Sequence, residues 1–199
     1  IARHGGIVDK YVGDAIMALF PAPGEALRGA VAMLEELDRF NQDGRRQGKE
    51  PIRIGVGINT GMLMLGIVGA AERLEGTVIA DAVNLASRLE GANKAFGTYT
   101  MISESTWEQS GGRFVGRELG RLRVMGRTAP VRVFELAGLP GESAPAHFAP
   151  FGEALALFYG GRFQEALEGF ERIPEDPASK TYVAHCRELI LHPPAEWDG

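Results

Sequence analysis

The 199-residue chain contains a single cysteine, Cys186. No disulfide can close within it, which fits a reducing compartment. A lone cysteine on a helix ordinarily serves as a small buried hydrophobe. Long apolar runs are also lacking. No stretch approaches the roughly 20 residues needed to span a bilayer, and Ile1–Gly6 lacks the charged-then-apolar order of a signal peptide. Nor is there an excess of positive charge: 21 Lys and Arg against 26 Asp and Glu leave a net charge of −5. Sequence-independent nucleic-acid binding needs a basic face, so this balance argues against a nucleic-acid partner. A nucleotide substrate stays open, because a few local cations suffice for one. What is present is ordinary for a globular protein, with 45% hydrophobic and 24% charged residues. The length allows one domain of about 140 residues plus a small appendage.

Hydrophobic periodicity divides the chain. Residues 7 to 20 predict two strands around a tight turn at Gly13-Asp14. Leu27, Ala30, Val31, Leu34, Leu37 and Phe40 recur at helical spacing, predicting a helix over about 25–47 that Gly44 and Gly48 end. Ile52, Ile54, Val56 and Ile58 alternate, and Asn59-Thr60-Gly61 followed by Met62 to Val68 predicts that these residues return as a second hairpin. A helix is expected from about Ala80 to Lys94, a strand at 98–102, a short helix capped by Ser103, and strands at 113–124 and 131–136. The fold class is α+β, with helices on one face of a sheet. Residues 138–147, rich in Gly, Pro, Ser and Ala, predict a linker. Helices at 151–159, 163–173 and 178–191 follow, with Ala166 and Phe170 on one face, similar to a tetratricopeptide-type helical hairpin. A single such unit cannot bury its own apolar face, so it is expected to pack on the preceding domain or on another element.

Two glycine patterns invite phosphate-binding readings and fail them. Gly55-Val56-Gly57-Ile58-Asn59-Thr60-Gly61 is one residue too long for a dinucleotide fingerprint and does not lie between a strand and a helix. Gly61 to Gly66 has the spacing of a phosphate loop, but Ile67 and Val68 stand where Lys and Ser/Thr are required. Glycines that serve a hairpin and close backbone packing explain both.

Two longer runs carry more. The first is Val8-Asp9-Lys10-Tyr11-Val12-Gly13-Asp14-Ala15-Ile16-Met17-Ala18; the second is Glu75-Gly76-Thr77-Val78-Ile79-Ala80-Asp81-Ala82-Val83-Asn84-Leu85-Ala86-Ser87-Arg88-Leu89-Glu90. Alone, Asp14 would be a good turn residue, Lys10 a solvated lysine at a strand edge, and Asn84 and Arg88 part of a helix's polar face. Together the runs resemble the catalytic domain of class III nucleotidyl cyclases over roughly residues 4–137. The resemblance implies a ferredoxin-like, antiparallel-rich sheet flanked by helices. It also implies conversion of ATP to 3′,5′-cyclic AMP and pyrophosphate, in signal transduction, by two Mg²⁺ or Mn²⁺ ions per site. By the same resemblance, Asp14 is a metal ligand at a hairpin tip, and Lys10 and Thr77 are the base-selecting pair of the bacterial Lys/Thr adenylyl cyclase subgroup. Asn84 orients the ribose and Arg88 stabilises charge on the α-phosphate; four residues apart, they share a helix face. The family's sites lie at a homodimer interface. One protomer would supply Asp14, and its partner Lys10, Thr77, Asn84 and Arg88.

The chain also departs from the pattern. The family's first strand, with a second metal-binding Asp, and the two helices after it have no counterpart from Ile1 onward. The expected domains are therefore 1–137, a catalytic domain lacking that first strand and helices; 138–147, a linker; and 148–199, a helical tail. The 199 residues alone are expected to be inactive, and the function belongs to a parent protein. That parent has room for an N-terminal sensory or membrane domain, with this domain in the cytoplasm. Met125 stands where the family usually has a triphosphate-binding Lys; Arg127 or Arg123 is the expected substitute, since a guanidinium binds phosphate well. Met62, Ile67 and Ala80 also replace residues common in relatives. Two rival readings are a degenerate, non-catalytic regulatory domain, which Met125 favours, and an interaction module acting through the tail. Arg127→Ala should raise the Michaelis constant for ATP, measured from initial rates; an unchanged constant removes Arg127 from the site.

Overall fold

The computed structural model describes residues 1–68, 75–79, 81–123 and 130–197, with the backbone only at 64–68 and 75–79. The antiparallel strands β1 (Ile7–Val12) and β2 (Ala15–Leu19) form a two-stranded sheet, and helix α1 (Pro23–Arg46) follows. Next come β3 (Val56–Ile58), β4 (Met64–Val68), β5 (Glu75–Ile79) and helix α2 (Asp81–Phe96). The rest of the sheet comes from β6 (Thr100–Ser103), β7 (Val115–Leu122) and β8 (Val131–Gly138), with the short helix α3 (Glu104–Gln109) after β6. Its strand order is β3-β6-β8-β7, and β4–β5 form a third, two-stranded antiparallel sheet. The class is α+β and mostly antiparallel, as expected. Among the described residues, no helix is long and apolar enough to cross a membrane.

One pairing differs from expectation. Residues 52–58 do not form a hairpin with 62–68. β3 pairs parallel with β6, and β4 pairs with β5. Alternation along 52–68 is the same whichever partner a strand takes, and the partner is set by packing. On the face of β3, a Cβ at Gly57 would overlap the Ala86 carbonyl oxygen and the Glu90 backbone nitrogen, so glycine lets α2 lie against the strand. Asn93 on α2 then donates to the Val56 carbonyl at 3.1 Å. Asn41 of α1 exchanges two 2.8 Å hydrogen bonds with the Ile52 backbone, holding residues 51–55 outside any strand. The expected cap is present, with the Ser103 side chain accepting from the Thr106 amide.

Three tail helices, α4 (Phe148–Tyr159), α5 (Phe163–Glu171) and α6 (Pro177–Leu191), pack on the sheet and on α2. Their inner face shares one core with the sheet. Leu85, Leu89 and Phe96 of α2 and Met101, Leu119 and Val133 of the strands meet Phe151, Phe158, Phe170 and Tyr182 of the tail. Ala166 and Phe170 are both fully buried. Cys186 is buried in this core, and burial pushes its thiol up to about 11.

Polar contacts fix the register of the docking. Arg117 of β7 is 5% exposed at its side chain, and Asp176, the N-cap of α6, is 1% exposed. The guanidinium donates to both Asp176 oxygens at 2.6 and 3.0 Å and to Glu135 on the neighbouring strand at 2.7 Å. It sits over the rings of Phe148 and Phe151, 4.7 and 4.3 Å from their centroids. Tyr182 donates to the Leu119 carbonyl at 2.8 Å, where β7 bulges, and Thr181 donates to the Ala95 carbonyl at 2.7 Å, at the end of α2. Burial opposes ionisation of Asp176, yet Arg117 and Ser179 hold its carboxyl below the usual range.

Breaking one partner of a buried pair leaves the other charge stranded. Arg117→Ala should cost about 3–5 kcal/mol, read from urea unfolding, and Asp176→Ala less, because Glu135 still pairs with the Arg117 guanidinium at 2.7 Å. Asp176 has a depressed folded pKa, so its contribution is present above its ordinary value of 3.8 and fades as pH falls below it. The acid limb of a stability–pH curve should therefore flatten in Asp176→Asn.

Candidate active site

The β1–β2 hairpin carries two of the expected site residues. Val12 pairs with Ala15, leaving Gly13 and Asp14 as a two-residue loop. Gly13 has φ of 63°, while among the described residues every residue with positive φ is a glycine. A positive φ at the first central position alone is the type II′ arrangement, whose twist matches the flanking strands. Asp14 is exposed at the tip, where a carboxylate can reach a ligand without displacing backbone. Lys10 lies on β1, half-buried, with its ammonium 3.3 Å from Asp9. Exposed Ile7, Tyr11, Val12 and Ile16 give the hairpin an apolar surface.

Helix α2 carries the other pair. Leu85 and Leu89 face the core, so Asn84 and Arg88, each one position earlier, fall on the exposed side. The start of α2 is held by a loop that periodicity predicts as a hairpin turn. Asn59 donates to the Ala82 carbonyl at 3.0 Å and accepts from Ser105 at 3.2 Å, and Ser105 also donates to the Thr60 carbonyl at 2.8 Å. The Thr60 and Thr106 hydroxyls are 3.0 Å apart. These residues position the helix that presents Asn84. Asn and Ser spread over 46 positions offer no local pattern that would have identified them.

Among the described residues, β1–β2 and α2 share no extended packing. Lys10 and Asp14 thus form one group, and Asn84 and Arg88 another. Thr77 lies on β5 opposite Gly66, but its side chain is outside the described residues, as are Arg127 and Met125. Among the described residues, no group of three His, Cys, Asp or Glu converges on a common point. Asp14 can offer one carboxylate to a cation; any metal here needs oxygen ligands beyond this set.

The family model of the adenylate and guanylate cyclase catalytic domain matches residues 8–137. The chain belongs to this family. The match takes in the β1–β2 hairpin, α2 and the four-stranded sheet, and stops before the tail. The adenylate cyclase of Anabaena cylindrica is 46% identical over 111 residues, covering 53% of this chain and 22% of its own length. The terminal-differentiation-specific adenylate cyclase of Dictyostelium discoideum is 33% identical over 209 residues. That alignment takes in 96% of this chain, tail included, and 10% of the relative. The chain thus spans only a small part of these curated relatives. The crystal structure of the guanylyl cyclase Cya2 is similar with a TM-score of 0.57 and 32% identity, over 70% of this chain and 74% of that one.

In this cyclase domain, Gly13→Ala tests the hairpin tip. A Cβ there meets nothing within 4 Å, so the cost is conformational, about 1–2 kcal/mol. The variant should lose activity beyond its small loss of stability, by misdirecting Asp14; calorimetry and initial rates together separate the two.

Proposed function

We propose that the protein carrying this chain is an adenylate cyclase, converting ATP to 3′,5′-cyclic AMP and pyrophosphate in cytoplasmic signal transduction. The observation that carries the reading is the hairpin. It presents Asp14 at a type II′ tip and Lys10 on its strand, within a domain whose family cyclises ATP or GTP. The adenylate cyclase names of the two curated relatives support ATP over GTP.

The roles follow from charge and geometry. Lys10 donates to adenine N1; guanine presents a donor there and would leave the ammonium unpaired. Thr77 assists in reading the base. Asn84 orients the ribose so that its 3′ oxygen faces the α-phosphate. Arg88 holds negative charge developing on that phosphate, as a guanidinium does well. Arg127 binds the triphosphate in place of the lysine that Met125 replaces. Mg²⁺ or Mn²⁺, two ions per site, would take Asp14 and phosphate oxygens among their ligands and supply charge neutralisation.

A homodimer accounts for two observations. The hairpin and helix groups share no extended packing among the described residues, so one protomer holds partial sites. Tyr11, 72% exposed, and Ile16, 52% exposed, are cross-strand partners on an apolar face suited to a second copy. A degenerate regulatory domain is the second reading, favoured by Met125 alone.

The test is cyclic AMP formation by the protein expressed from its full gene. Asp14→Asn should lower turnover by about a hundredfold or more, with the melting temperature preserved. Lys10→Ala should reduce the preference for ATP over GTP. Wild-type turnover in Asp14→Asn would remove Asp14 from the metal site, and absence of turnover in the wild-type protein itself would leave the regulatory reading.

A further inference from the structure

We infer that Asp9 is a positioning residue for base selection: its buried carboxylate fixes the Lys10 ammonium before nucleotide arrives. This rests on the reading of Lys10 as the base-selecting residue. Successive side chains on a regular strand point to opposite faces and cannot pair. Here they do, with Lys10 Nζ 3.3 Å from Asp9 Oδ2. The register explains it. Val8 pairs with Ala18 and Lys10 with Met17, so Asp9 is an extra residue opposite no partner. Such a bulge re-aims side chains, and it brings those of Asp9 and Lys10 together.

Burial makes the contact one-sided. The Asp9 side chain is 14% exposed and that of Lys10 38%. The Asp9 oxygen nearest Lys10 is shut off from solvent and has no hydrogen-bond partner among the described residues. The ammonium is therefore its one charge compensation among them, while Lys10 keeps a solvent-facing side. The contact with Asp9 is an ion pair rather than an aligned hydrogen bond, so the donors of the ammonium stay available to a base. A lysine side chain otherwise spreads over many rotamers and would lose that freedom on binding. Restraint by Asp9 moves the cost from nucleotide binding to folding. Asp9 needs no contact with the nucleotide.

The experiment compares Lys10→Ala, Asp9→Asn and Asp9→Glu in the full-gene protein. Selectivity between ATP and GTP is read both as kcat/KM and as equilibrium dissociation constants, with melting temperatures alongside. Asp9→Asn keeps size and removes charge. It should reduce ATP selectivity about tenfold, mainly through KM, with the melting temperature little changed, and Asp9→Glu should recover part of the loss. If Lys10→Ala loses selectivity while Asp9→Asn keeps it, the role of Asp9 is overturned and that of Lys10 stands. If Asp9→Asn lowers stability and turns over both nucleotides less well by the same factor, Asp9 is structural and the inference fails. If Lys10→Ala keeps full selectivity, the reading of Lys10 fails and the inference falls with it.

Discussion

The contact on which the rest of the architecture depends is the buried pair of Arg117 and Asp176. Neither charge can stay in the interior alone, because desolvation there costs several kcal/mol per ion. Asp176 therefore requires Arg117, and the pair joins the sheet to the tail across 59 positions of sequence. Asp176 also caps α6 through the Ser179 amide, so the same carboxylate starts the helix and anchors it. Phe148 and Phe151 cover the guanidinium, and Glu135 accepts from its Nε on the sheet side. Hydrophobic burial supplies most of the attraction between tail and sheet, but it is not directional. The ion pair selects one docking position.

From that position the tail reaches helix α2. Tyr182 lies in the same aromatic cluster as Phe96 of α2, and Thr181 satisfies a carbonyl at the end of α2. The opposite end is held by Asn59, and the middle rests on Gly57 of β3. The helix carrying Asn84 and Arg88 is thus fixed at three places, by elements far apart in sequence. The tail contributes to the core beneath α2 as the sheet does, although the family match ends at residue 137.

Legibility in the sequence followed locality. The β1–β2 hairpin was readable because Gly13-Asp14 specifies its own turn, and the α3 cap because Ser103 and Thr106 are three apart. The outward face of α2 was readable from Leu85 and Leu89. The partner of β3 was not, because alternation marks a strand without naming its neighbour, and β6 lies more than 40 positions further along the chain. β5 was hidden because Glu75-Gly76-Thr77-Val78-Ile79 is too short and too mixed to alternate visibly before the helix that follows it. The Arg117–Asp176 pair left no trace, since Arg and Asp in isolation are ordinary surface residues. The bulge at Asp9 was equally silent: nothing about Val-Asp-Lys announces an extra residue.

The hairpin bearing Lys10 and Asp14 has a thermodynamic consequence. Among the described residues, β1 and β2 hydrogen-bond only to each other, leaving both outer edges unpaired. A two-stranded ribbon is marginal in water by itself, and this one exposes much of its apolar side chain surface. Its amides belong to the part of the molecule that opens most readily, well below the global unfolding free energy of the sheet and tail. Any surface that covers the ribbon stabilises it by mass action. The order of Lys10 and Asp14 then depends on whatever covers the ribbon, and where the cover is a second copy it depends on protein concentration.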